Sequence, residues 1–248
     1  MSEGKRYLLT GASSGIGEVL ARQLAAQGYD LVLAARRVDR LAEQAAELSA
    51  RFGRKVLALP LDVTDLAAAQ TIVGQAAEAL GGLDGIIANA GIAMTSRVGS
   101  GHFENDRKVI ETNLTGCIAS LDAATEFFLK QGHGHLVAVS SVAGKVGLPG
   151  NAAYSASKFG LLGYMQTLAA EACGKGLHTT VLLPGFIDTP INQGMKSRPF
   201  VIDVERGAAI ITRHIINKRR FAYVPGWPWT VIAPLLALLP PRLLGKYF

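Results

Sequence analysis

The sequence predicts an α/β fold: a single doubly wound parallel sheet of about seven strands with helices on both faces. Three observations carry this reading. Seven short apolar runs, at residues 7–10, 31–35, 56–59, 85–88, 136–140, 179–183 and, more weakly, 221–224, recur along the chain. They are continuously apolar, as strands covered on both faces must be. Segments with helical spacing separate them, with Leu20 and Leu24 on one face and Leu41, Ala45 and Leu48 on another. Right-handed crossovers turn such an alternation into a doubly wound sheet whose ligands sit at the carboxyl ends of the strands. No break in composition separates a second domain, so residues 1–225 read as one domain and 226–248 as its apolar C-terminal extension.

The first run leads into Thr10-Gly11-Ala12-Ser13-Ser14-Gly15-Ile16-Gly17 and an amphipathic helix. Glycines there let the backbone turn sharply and approach a pyrophosphate closely. The helix N-terminus supplies free N–H groups and a partial positive charge. The spacing is GxxxGxG rather than the commoner GxGxxG of dinucleotide sites, and a tight turn with no ligand is the competing reading.

The second run ends at Ala34-Ala35 and is followed by Arg36-Arg37. NAD sites carry an acidic residue about 20 positions past the glycines to hold the ribose 2′-hydroxyl. Here Ala35 lies 18 residues past Gly17, and no carboxylate repels a 2′-phosphate. Arg36 and Arg37 offer forked, charge-assisted hydrogen bonds to such a phosphate. Alternatively they open a solvated helix, satisfied by Asp39 and Glu43. The balance favours NADP, with NAD as the alternative.

The third run is followed by Leu61-Asp62-Val63 and the fourth by Asn89-Ala90-Gly91, where carboxyl-end loops meet the adenine half of a dinucleotide. By themselves these are ordinary loop residues. After the fifth run come Ser140-Ser141, a loop, and Tyr154-Ser155-Ala156-Ser157-Lys158 at the start of a helix. Residues four apart share a helical face, so Tyr154 and Lys158 are neighbours. A tyrosine titrates near ~10, and an adjacent ammonium with an oxidised nicotinamide lowers that value. Ser141 is placed to hydrogen-bond a substrate oxygen where charge develops.

Residues 186–204 form the expected flap over the substrate. Phe186, Ile191, Met195, Phe200 and Val201, with Val142, Val146 and Leu148 from the loop after Ser141, make either an apolar pocket for a hydrophobic carbonyl compound or the flap's own packing. In the tail, the apolar stretch from Trp229 to Leu239 is too short to span a bilayer, which needs about 20 residues. Trp227, Trp229 and Phe248, flanked by Lys218, Arg219, Arg220, Arg242 and Lys246, suit peripheral contact with a membrane interface. Capping the pocket and packing on a partner subunit are the other readings.

Of the 248 residues, 49% are apolar and 18% charged, which argues for one well-buried core and against disorder. The net charge is +6, but basic residues are scattered and no aromatic-interleaved basic stripe appears, which argues against nucleic acid. Cys117 and Cys173 sit in apolar helical patterns without CxxC spacing and read as small buried thiols in a reducing compartment. The five histidines show no metal-ligand spacing, and His133-Gly134-His135 reads as a turn entering a strand, so no metal is expected. The first residues carry no apolar signal stretch, and a cytoplasmic location is expected.

Six motifs in one order make the chain resemble the short-chain dehydrogenase/reductase family across about residues 5–225. They are TGxxxGxG (Thr10 to Gly17), NAG (Asn89 to Gly91), a helix asparagine (Asn113), a serine thirteen residues before the tyrosine (Ser141), YxxxK (Tyr154, Lys158) and PGxxxT (Pro184, Gly185, Thr189). The resemblance implies a single Rossmann-type domain and an oxidoreductase passing a hydride between a nicotinamide and a carbonyl or alcohol carbon. It implies Tyr154 as general acid or base and Lys158 as the group that lowers its pKa and holds the nicotinamide ribose. Ser141 would orient the carbonyl oxygen, and Asn113 would anchor a water linking Lys158 to solvent. Pro184, Gly185, Ile187 and Thr189 would hold the carboxamide, and Asp62 and Val63 would meet the adenine. It further implies a homodimer or homotetramer associating through helices at about 103–130 and 151–173. One departure is Ser14, where many NADP-preferring relatives carry a basic residue, so the phosphate preference rests on Arg36 and Arg37. An NAD-linked dehydrogenase, or a nucleotide-binding regulatory or scaffold protein, are the alternatives.

Overall fold

The computed structural model describes residues 5–193, 195, 197–240 and 242. Its strands are β1 (Arg6–Thr10), β2 (Asp30–Ala35), β3 (Val56–Pro60), β4 (Gly85–Ala88), β5 (Gly134–Val139), β6 (Leu177–Pro184) and β7 (Phe221–Val224). All pair in parallel in the order β3-β2-β1-β4-β5-β6-β7. The chain reverses its winding between β1 and β4, and a crevice opens at the carboxyl ends of those strands.

The helices are α1 (Gly15–Ala26), α2 (Val38–Phe52), α3 (Leu66–Leu80), α4 (Phe103–Ile110), α5 (Gly116–Gln131), α6 (Ala152–Glu171), α7 (Val204–Ile216) and α8 (Gly226–Leu236). Strand side chains alternate between the two faces and divide the core in two. Leu8, Ile86, Leu136, Ala138 and Leu183 meet α3, α5 and α6. Tyr7, Leu9, Ile87, Val137 and Leu182 meet α1, α2 and α7. The uninterrupted apolar runs are thus two period-2 patterns superimposed, one per buried face.

Three local features depart from the sequence reading. The helix expected over 103–130 is interrupted by a π-turn at Glu111–Thr115. Asn113 sits in that turn, fully buried, where its side chain grips a neighbouring loop. Strand β5 starts at Gly134 rather than 136, and His135 is not in a turn but buried in the sheet. The Tyr7 hydroxyl lies 2.7 Å from His135 Nδ1, and Thr180 Oγ1 lies 2.8 Å from Nε2. Cys117 is buried, but Cys173 is exposed because α6 ends at Glu171 and the chain turns there.

Candidate active site

A cleft of about 360 Å³ runs across the carboxyl ends of the strands. Every residue singled out for the cofactor or the chemistry lines it, except Asn113.

At one end the glycine loop packs against the loop after β4. Gly11 has φ +68°, and a β-carbon there would fall 2.7 Å from Ala90 Cα, so only glycine permits the approach. The Asn89 side chain donates to the Thr10 and Gly11 carbonyls at 3.1 and 3.2 Å, and its N–H donates to Thr10 Oγ1 at 3.1 Å. A β-carbon on Gly17 would lie 2.2 Å from the Gly11 carbonyl oxygen, so α1 begins hard against the loop. Ser14, its extended N-cap, makes no side-chain capping bond. The first-turn N–H groups therefore have no intrahelical partner, and Gly15, Ile16 and Gly17 stand in the cleft wall. Such an N-terminus fits a pyrophosphate. Thr189 faces it, 3.4 Å from where a Gly15 β-carbon would sit.

The loop after β2 brings both arginines to the same end. Arg37 donates through Nε and Nη2 to Ser13 Oγ at 3.2 and 3.0 Å and through Nη2 to the Ser13 carbonyl at 3.1 Å. Its partner is thus the glycine loop. Arg36 is exposed on the cleft rim. Partial burial pushes the Asp62 carboxyl up, but bonds from Thr64 N–H (3.0 Å) and Oγ1 (2.8 Å), with the Arg36 charge, outweigh it and hold it below its ordinary value.

At the other end Ser141 is extended and caps a short turn, Val142–Gly144. Its Oγ accepts from Ala143 N–H at 3.1 Å and donates to the Pro184 carbonyl at 3.4 Å. Tyr154 and Lys158 lie one turn apart in α6, with Nζ 5.7 Å from the phenol ring centroid. Lys158 is buried, and Nζ donates to the Val139 carbonyl at 3.0 Å. Burial brings its ammonium down to about 8, with the nearby Cys117 acting in the opposite sense. Tyr154 does not show the lowering expected from its lysine neighbour. Burial dominates and pushes the phenol up, opposed by the Ser141 hydroxyl.

Asn113 works behind this wall. Its Oδ1 accepts from Ile92 N–H and its Nδ2 donates to the Ile92 carbonyl, both at 2.8 Å. Gly91 lies between it and the lysine: a β-carbon there would sit 3.2 Å from Asn113 Oδ1 and 3.8 Å from Lys158 Nζ.

The loop after β6 is tied by a residue that sequence reasoning missed. Asn192 donates to the Ile187 carbonyl at 2.7 Å and accepts from Thr189 N–H at 3.4 Å, while Arg198 pairs with Asp188. An asparagine shortly after Thr-Pro is a turn signal, but nothing local says which carbonyl it closes on. Of the apolar residues expected at the substrate end, Val142, Leu148, Phe186, Ile191 and Met195 line the cleft. Val146 is buried away from it, and Phe200 and Val201 lie outside it, each partly exposed.

A glycine loop on a helix N-terminus, joined by one cleft to a serine, a tyrosine and a lysine, defines the architecture of a nicotinamide-dinucleotide oxidoreductase. Comparison with known proteins agrees. The profile of the family described as short chain dehydrogenase matches residues 5–199. An uncharacterized oxidoreductase of Mycobacterium tuberculosis is 40% identical over 98% of this chain and 97% of its own length. A protein of Arabidopsis thaliana named 11-beta-hydroxysteroid dehydrogenase 1A is 33% identical over 97% of this chain and 75% of its own. The structure of an alcohol dehydrogenase from the archaeon Thermococcus sibiricus, complexed with 5-hydroxy-NADP, superposes with a TM-score of 0.80 at 28% identity. That match covers 89% of this chain and 96% of the other. The chain belongs to the short-chain dehydrogenase/reductase family. It is an oxidoreductase of the NAD(P)-binding kind, acting between CH–OH and C=O.

Proposed function

We propose that this chain is an NADP-dependent oxidoreductase that passes a hydride between the nicotinamide and a carbonyl or alcohol carbon of a hydrophobic substrate. The observation that carries the cofactor choice is the end of β2. Ala35 offers no carboxylate, Arg36 is exposed at the rim, and Arg37 is fixed to Ser13 within the glycine loop. Two guanidinium groups beside the adenine end favour a 2′-phosphate through charge-assisted bonds. The Thermococcus sibiricus structure, which holds an NADP derivative, supports the reading. NAD remains the second candidate because Ser14 supplies no charge inside the loop.

When bound, the nicotinamide would supply the hydride in reduction and take it up in oxidation. Gly11 with Ser13 to Gly17 would receive its pyrophosphate, and Asp62, Val63, Asn89, Ala90 and Gly91 would border its adenine half. Pro184, Gly185, Ile187 and Thr189 would seat its carboxamide. In reduction, Tyr154 Oη donates its proton to the carbonyl oxygen as Ser141 Oγ donates a hydrogen bond to it. The Lys158 ammonium then stabilises the phenolate, and Asn113 holds the path by which the proton is replaced. In oxidation the same tyrosine takes the alcohol proton. Apolar walls at Val142, Leu148, Phe186, Ile191 and Met195 favour a substrate with few polar groups.

The working protein is proposed to be a cytoplasmic homodimer or homotetramer. The outward face of α8 is proposed to touch a membrane interface: Trp227, Val231 and Leu235 are exposed on it, Leu238 is exposed just past its end and Arg242 follows, whereas Trp229, expected to join them, is buried. Among the described residues no helix is long and apolar enough to cross a membrane. Phe248 and Lys246, part of the same expectation, lie outside the described residues. Initial rates with NADPH and with NADH, against apolar ketones and aldehydes, test the function. At least tenfold faster reduction with NADPH is expected, and equal or faster rates with NADH would contradict it.

A further inference from the structure

We infer that Trp229 is a positioning residue: α8 wedges its indole behind Gly185, so that docking of the tail sets the shape of the nicotinamide seat and of the apolar wall beside it. The inference rests on reading residues 184–189 as that seat. Trp229 is 1% exposed, among the largest fully buried side chains of the described chain. It does not line the cleft but packs against residues that do. A β-carbon on Gly185 would lie 2.1 Å from indole Nε1, 2.4 Å from Cε2 and 2.8 Å from Cδ1, so the indole lies flat against that backbone. The Phe186 ring is tilted at 6.1 Å between centroids, and Phe200 meets the indole edge-on at 5.9 Å. Val142, next to Ser141, shares the cluster, and Met195 packs against it. One side chain is therefore common to the Ser141 loop, the loop after β6 and the flap.

The polar bonds of that loop leave its rear open to such a wedge. Gly185 N–H donates to the Val224 carbonyl at 2.9 Å, the Phe186 carbonyl accepts from Ile202 N–H at 3.0 Å, and Asp188 N–H donates to the Ile202 carbonyl at 2.8 Å. These bonds fix the edges of the loop, and the indole supplies the support behind it. Indole Nε1 is buried without a hydrogen-bond partner among the described residues. An unpaired buried donor is costly, so the indole is held there by shape rather than by a polar contact. Gly185 has no positive φ, and the three atoms nearest its missing β-carbon all belong to Trp229. Alanine at 185 thus conflicts with the indole, not with its own backbone.

The test uses the full chain with Trp229→Ala, Trp229→Phe, Gly185→Ala and the double variant Gly185→Ala/Trp229→Ala. Amide hydrogen exchange at Ile187 and Asp188, measured without cofactor, should quicken at least tenfold in Trp229→Ala and return most of the way in Trp229→Phe. Dissociation constants for NADPH and NADH, and the separation of cofactor KM from kcat, give the second readout. Gly185→Ala should weaken cofactor binding about tenfold, and removing the indole in the double variant should recover most of that loss. Losses that simply multiply in the double variant, or unchanged exchange in Trp229→Ala, would overturn the inference. If the native chain binds neither cofactor, the cofactor reading fails, and the exchange experiment still decides whether Trp229 positions the loop.

Discussion

Lys158 stands one helical turn beyond Tyr154, its Nζ 5.7 Å from the phenol centroid and 3.0 Å from the Val139 carbonyl oxygen. The ammonium is thus held by the end of β5 at a fixed distance from the tyrosine, in a buried position that opposes its charge. Function and stability pull against each other at this residue.

The sign of that conflict is measurable. Lys158 titrates at about 8 in the fold against an ordinary 10.5. Between those values the unfolded chain keeps a proton that the folded chain has released, so stability contributed here rises with pH. Below about 8 the buried cation costs stability. Lys158→Met is therefore expected to raise Tm at pH 7, with the gain shrinking toward pH 10, while activity falls at least a hundredfold. A lower Tm at pH 7 would show that the bond to Val139 outweighs the buried charge.

Tyr154→Phe removes the proton donor and leaves the fold and the nucleotide end intact. Turnover should fall by a factor of about 10² to 10⁴, the usual contribution of a general acid. Cofactor affinity, measured by fluorescence, should change less than threefold. Residual turnover within tenfold of native would assign the proton to another group.

At the opposite end of the sheet, His135 bridges Tyr7 and Thr180 and is brought down by burial to about 3. Below pH 6.5 the unfolded chain takes up a proton that the folded chain refuses. Stability from this residue is therefore complete above 6.5 and is lost as pH falls toward 3, on the order of a few kcal/mol. His135→Leu should be less stable at pH 7.5, since Tyr7 and Thr180 lose a partner, yet lose less on acidification. Parallel denaturant midpoints from pH 7.5 to 4 decide it, and identical slopes would contradict the assignment.

The proposed membrane face is tested by vesicle sedimentation. The native chain should pellet with anionic vesicles and not with neutral ones. Replacing both Trp227 and Leu235 by serine should abolish binding with Tm unchanged, because both side chains are exposed. Native protein that stays in solution, and elutes as a dimer that the double variant dissociates, would assign the face to a second copy.

The sheet was legible because both of its faces are buried, which leaves apolar runs that need no tertiary information. The glycine loop and the Tyr154–Lys158 pair were legible because their chemistry depends on spacing within one segment. What the sequence hid depends on partners distant along the chain. The π-turn at Asn113 is fixed by Ile92, the grip of Asn89 by the Thr10 and Gly11 carbonyls, and the seat of Trp229 by a glycine 44 residues earlier. Tyr154 shows a further limit. The spacing announces a lysine beside it, but the desolvation that dominates its titration belongs to the whole cleft.

The central claim, a site built for a 2′-phosphorylated nicotinamide dinucleotide, is tested most directly by titrating the purified chain and its Arg36→Ala variant with NADPH and NADH, following fluorescence. Tighter binding of NADPH than NADH by the native chain, with a loss of at least tenfold for NADPH and less than twofold for NADH in the variant, is the predicted result. Preferential NADH binding, or equal losses for both cofactors, would contradict it.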